Sequence, residues 1–143
     1  MNDAAYEATK LRVEQMCDKW YTALGLGWWI VTYNWRRDTL NYNETGAHLS
    51  DAATTRTQWP YRKADIDWNL DVIEGMNDEE LELLVIHEFA HILIDALRSQ
   101  VSEKHRDLME YTTESVARAI LYVRQAGRED AKIDPLPRPP WID

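Results

Sequence analysis

The stretch Leu84-Val85-Ile86-His87-Glu88-Phe89-Ala90-His91-Ile92-Leu93-Ile94 constrains this chain most, because it sets the pattern HExxH inside an apolar helical run. At about 3.6 residues per turn, residues four apart on a helix lie one turn above each other, so both imidazoles fall on one face. His87 and His91 are thereby a two-pronged clamp for a metal ion. On the same count Glu88 lies about a sixth of a turn from His91, facing the same cleft without joining the ligands. The flanks are Leu, Val, Ile and Phe, so the helix is expected to be buried on nearly all sides. Two histidines and a glutamate enclosed in that way are costly to leave unpaired. A zinc ion with such donors lowers the pKa of water to about 7, and the adjacent carboxylate can then act as general base.

A catalytic zinc takes three protein ligands and keeps one position open. The best source of the third is the next helical stretch, His105 to Ile120, where Glu110 and Glu114 are one turn apart and point the same way. One of them can reach the metal while the other orients a ligand histidine.

HEFAH followed at a distance by Glu114-Ser115-Val116-Ala117 resembles the gluzincins, the thermolysin-like branch of the zinc peptidases. Within that branch, the short chain and its ESVARAIL segment look most like the minimal phage and prophage zinc peptidases. The resemblance implies that His87 and His91 are zinc ligands, Glu88 the general base and Glu114 the third ligand. Ala117 would be the small residue that lets the two helices approach. It implies Zn²⁺ as cofactor, hydrolysis of a peptide bond in a peptide or protein substrate, and an edge strand beside the metal that binds an extended peptide by strand addition. Thr54–Arg62 is the candidate for that edge. Glu110 also has a small residue, Thr113, three positions on, and stays open as the alternative third ligand or the orienting group. No further His follows soon after His91, which sets the chain apart from the metzincins. Tyr111 and Tyr61 are candidate donors to an oxyanion. The alternative reading is a phage-type regulatory or protein-binding module that keeps a zincin fold and zinc site; an intact Glu88 speaks against it, since binding alone needs no base.

Composition narrows the partners. With 25 acidic against 16 basic residues the formal charge is −9, which repels a nucleic-acid backbone, and no run of Lys or Arg supplies a local exception. Cys17 is the only cysteine, which excludes an internal disulfide and a cysteine-rich zinc ribbon and suits the cytoplasm, inside the host cell if phage-encoded. It reads as a small buried hydrophobe. No stretch approaches the ~20 apolar residues needed to cross a bilayer, and the first residues lack a secretory pattern, so no membrane association is expected. The 143 residues fit one domain, with a proline-rich tail at 134–143. Nothing in the sequence speaks to the oligomeric state.

The elements follow from periodicity. Val13, Met16, Cys17, Trp20 and Leu24 make an amphipathic helix from about Asp3 to Leu24, ended by Gly25 and Gly27. Trp28 to Trp35 reads as a first strand, Ala47 to Arg62 as an irregular second strand with Pro60 at an edge or bulge, and Asp65 to Ile73 as a third with an acidic outer row. Asn77 with Glu80 forms a capping box opening the HExxH helix, which runs to about Arg98. A last helix runs from Ser102 or Glu103 to Gln125 and stops at Gly127. His48 is a lone structural or surface histidine, and His105 stands too near its helix start to reach the metal. The order predicts an α+β domain, a minimal zincin-like unit. In it a small twisted, mostly antiparallel sheet of about three strands packs on the HExxH helix and the glutamate helix, with the N-terminal helix as support.

Overall fold

The computed structural model describes residues 1–37, 52–98 and 100–127. His48, the start of the expected second strand and the proline-rich tail lie outside the described residues. The architecture is α+β. Helix α1 spans Asp3–Ala23 and is capped by Asn2, whose Oδ1 accepts the Ala5 N–H at 2.8 Å. Thr9, Val13, Cys17 and Trp20 form its buried stripe. Gly25 takes a left-handed conformation with φ 71°, which L side chains seldom adopt, and reverses the chain after α1.

A single 3₁₀ turn over Leu26–Trp28 follows, because Leu26 is drawn into the core. Strand β1 therefore begins later than the aromatic run suggested and spans Ile30–Arg36. Strand β2 is Ala53–Gln58, and β3 is Lys63–Asn69. Between them Trp59–Tyr61 form a second 3₁₀ turn, and Arg62, at φ 53°, closes it. Pro60 sits in this turn, not within a strand, so the second strand is shorter than the sequence indicated.

The sheet order is β1-β3-β2. Its pairing is mixed where a mostly antiparallel sheet was expected: β2 and β3 are antiparallel, β1 and β3 parallel. The tight Trp59–Arg62 turn compels the hairpin, whereas the long passage from β1 to β2 leaves β1 free to join the far side of β3. The register builds inner rows of Val31–Ala64–Thr57, Tyr33–Ile66–Thr55 and Trp35–Trp68–Ala53.

The third strand ends at Asn69, and Leu70–Ile73 form one helical turn, α2. Both Leu70 and Ile73 are fully buried. Three residues apart, they would face opposite sides of a strand but share one side of a helical turn, so burial overrides the alternation that suggested a strand to Ile73.

Helix α3, Asp78–Arg98, carries the HExxH pattern. Its capping box forms: Asn77 Oδ1 accepts the Glu80 N–H at 2.8 Å, and Glu80 Oε2 accepts the Asn77 N–H at 3.3 Å. Leu81, Val85, Ile86, Phe89 and Ile92 bury it against the sheet and α1, while Leu93 and Leu97 are exposed toward its end. After a 3₁₀ turn over Glu103–His105, helix α4 spans Arg106–Ala126 and ends at Gly127. Thr113, Ala117 and Leu121 are its buried stripe. Among the described residues no helix is long and apolar enough to cross a membrane.

Candidate metal centre

Helices α3 and α4 run antiparallel, with His87 beside Glu114 and His91 beside Glu110. Among the described residues His87, Glu88 and His91 form a group whose ligand atoms all lie within 4.8 Å of one another. Glu110 completes a donor set around them. Its Oε2 lies 3.5 Å from His87 Nε2 and its Oε1 3.3 Å from His91 Nε2. Direct hydrogen bonds between ionised partners are shorter, about 2.7–2.9 Å. Donors that share a tetrahedral zinc at bond lengths near 2.0–2.1 Å stand about 3.3 Å apart; each imidazole stands at about that spacing from a different oxygen of Glu110, so a shared ion would take one of the two.

Glu114 meets His87 differently. Its Oε2 lies 2.6 Å from His87 Nδ1, a direct hydrogen bond too short for two ligands of one ion. With Nδ1 engaged there, Nε2 is the nitrogen of His87 that faces Glu110 and the cleft. Arg118 Nε, one turn on, holds the other oxygen of Glu114 at 3.0 Å. The sequence ranked Glu114 as third ligand and Glu110 as the alternative; the distances bring Glu110 to the two Nε2 atoms and Glu114 to the back of His87.

His91 has its own partner, which the sequence reading missed. Asp95, one turn beyond on α3 and buried, sets Oδ1 3.6 Å from His91 Nδ1. The signal was its spacing, a carboxylate four residues after a histidine on a buried helix face. Burial pulls the His91 pKa down, but the Asp95, Glu88 and Glu110 carboxylates outweigh it and the net direction is up. These carboxylates draw positive charge to this spot.

Glu88 is 4% exposed. Burial pushes its carboxyl up, against a Thr55 hydrogen bond and the two histidines, which pull down. Thr55 Oγ1 donates to Glu88 Oε2 at 2.5 Å. Around these groups opens a cleft of about 830 Å³, walled by Ala53 to Thr55 of β2, by Leu83 and Leu84 of α3, and by Tyr111 of α4. Its size and its mix of apolar walls with a few converging polar groups suit a ligand site. Among the described residues β2 has no neighbour on its outer side, so its free edge borders the cleft. That edge is Ala53–Gln58 and excludes Trp59–Arg62, which belong to the hairpin turn.

The other candidates stand apart. Tyr61 lies exposed in the hairpin turn and does not line the cleft, whereas Tyr111 does. His105 Nδ1 is paired with Ser102 Oγ at 2.8 Å at the exposed start of α4. Ala117 is fully buried on the α4 stripe, one turn past Thr113. Compared with family models, curated proteins and solved structures, the chain matches none.

Proposed function

We propose that this chain is a zinc-dependent peptidase of the gluzincin-like kind that its HEFAH and ESVA segments resemble. One observation supports the reading: the Nε2 atoms of His87 and His91 stand 3.5 and 3.3 Å from the two oxygens of Glu110, one each, so two imidazoles and a carboxylate meet at one place in the cleft, the donor types of a zinc site. The residues that would hold the ion are His87, His91 and Glu110. In this assignment Glu114 is the group that orients His87, not the third ligand.

Bound there, zinc would supply Lewis acidity toward the scissile carbonyl and acidify a water. The chain's own residues do the rest. Glu88 takes the proton of the attacking water and passes it to the leaving amine. Glu114 and Asp95 hold the imidazoles with Nε2 toward the cleft. An extended peptide would pair with the free edge of β2, which brings its carbonyls past the site. Tyr111 is the phenol that lines the cleft and would serve an oxyanion.

The test is zinc content and hydrolysis of a mixed-peptide library by wild type, Glu88→Gln, Glu110→Gln and Glu114→Gln. One zinc per chain is expected in wild type. Glu88→Gln should keep zinc and lose cleavage. Glu110→Gln should lose the metal, and Glu114→Gln should bind it roughly 10–100-fold more weakly. Zinc without cleavage in wild type favours the binding module, and a wild type that takes no zinc defeats the reading.

A further inference from the structure

The inner face of the sheet is apolar on two strands and breaks pattern on the third. β3 presents Ala64, Ile66 and Trp68, and β1 presents Val31, Tyr33 and Trp35. At the matching positions β2 presents Ala53 and then two hydroxyls, Thr55 and Thr57. Valine has the same branched shape and carries no polar atom to satisfy, so packing alone gives no reason for the hydroxyl of buried Thr55, and half-buried Thr57 also turns its hydroxyl to a buried carboxylate.

Each hydroxyl finds a carboxylate of the candidate centre. Thr55 Oγ1 donates to Glu88 Oε2 at 2.5 Å. Thr57 Oγ1 donates to Asp95 Oδ2 at 3.0 Å, while the other oxygen of Asp95 faces His91 Nδ1 at 3.6 Å. Two residues apart on one strand, the threonines match Glu88 and Asp95, two turns apart on α3.

We propose that Thr55 and Thr57 are positioning residues, through which β2 fixes the Glu88 carboxylate and, by way of Asp95, the ring of His91. The inference rests on the zinc-peptidase reading above. The strand whose free edge would hold a peptide is then also the strand that orients the general base and one ligand. Peptide pairing on its outer side and the geometry of the centre on its inner side are joined through one backbone.

The experiment uses the full chain and zinc alone as metal, with Thr55→Val, Thr55→Ser, Thr57→Val and Thr57→Ser. Zinc affinity is read by competition with a chelating indicator, and kcat and KM on the most rapidly cleaved peptide of the library. Thr57→Val is expected to bind zinc about tenfold more weakly and Thr57→Ser to recover wild-type affinity. Thr55→Val is expected to keep zinc affinity within about twofold and lose about tenfold in kcat at unchanged KM, with Thr55→Ser restoring it.

Wild-type zinc affinity in Thr57→Val overturns the Asp95 link, and wild-type kcat in Thr55→Val overturns the Glu88 link. Equal losses in the Val and Ser variants overturn both, since the hydroxyl would not be the operative group. Zinc-loaded wild type with indifferent variants defeats this inference alone. A wild type that binds zinc but cleaves nothing overturns the Glu88 link while the affinity arm still decides the other. A wild type without zinc defeats the peptidase reading and this inference together.

Discussion

Cys17 is fully buried on α1 between Val13 and Trp20, and burial pushes its thiol up to about 12 despite a hydrogen bond with Tyr33. At pH 8 only about one thiol in ten thousand is then thiolate, the form that reacts. Native protein should therefore resist iodoacetamide at pH 8 for hours and label within minutes in denaturant; rapid native labelling would contradict the burial. This inertness was legible, because the stripe of α1 is a local period. So were His87, Glu88 and His91, whose relation is a property of a single helix. The choice between Glu110 and Glu114 was not. Both lie on one face of α4, and only the axial offset of α4 against α3 decides which carboxylate meets the Nε2 atoms and which the Nδ1. Asp95 sat in view at a helical spacing from His91, but its relation to Thr57 depends on the register of a strand far away in sequence.

Helix α4 approaches α3 across Thr113 and Ala117, both fully buried. Ala117→Leu adds three carbons at a fully buried position, at a cost of about 1–3 kcal/mol. It should lower Tm and also weaken zinc, because it moves Glu110 relative to the histidines; a variant as stable and as tight as wild type would show that the helices do not meet there. On the outer face of the sheet, Arg56 holds Asp67 through two hydrogen bonds at 2.8 and 3.0 Å. The Arg56 bond and charge, with Asn34, hold the Asp67 carboxyl below the usual carboxylate range against the opposing effect of its partial burial. A lowered pKa stabilises the fold fully above the unfolded value near 4 and loses that contribution as pH falls through the folded value. Asp67→Asn should thus reduce stability at pH 7 and not at pH 2 in urea titrations, by less than about 1 kcal/mol because Arg56 is half exposed and screened. An equal effect at both pH values would exclude the ion pair as its source. At this scale the sequence misled where alternation and helical spacing coincide. Ile66, Trp68 and Leu70 keep step as a strand, yet the joint burial of Leu70 and Ile73 turns the end of that run into α2.

Across the molecule the candidate centre gathers Glu88, Asp95, Glu110 and Glu114 within a chain whose formal charge is already −9. Two of these carboxylates, Glu88 and Asp95, are buried. Gathering these carboxylates opposes folding to the extent that they carry charge, and a divalent cation among them would remove part of the opposition. An ion that binds only the folded chain adds stability by mass action, about 2.7 kcal/mol when its concentration is 100 times Kd. In a chain near 150 residues that corresponds to a rise in Tm of roughly 5–10 °C. Calorimetric scans should rise by this amount with zinc and return with a chelator. Magnesium, which demands octahedral oxygen ligands, should leave Tm unchanged. Glu110→Gln should abolish most of the zinc shift, whereas Glu114→Gln should reduce it in proportion to its weaker binding. A zinc shift of full size in Glu110→Gln would return the third ligand to Glu114, and an equal shift with magnesium would mean that the carboxylates act as a diffuse charge trap and not as a tetrahedral site.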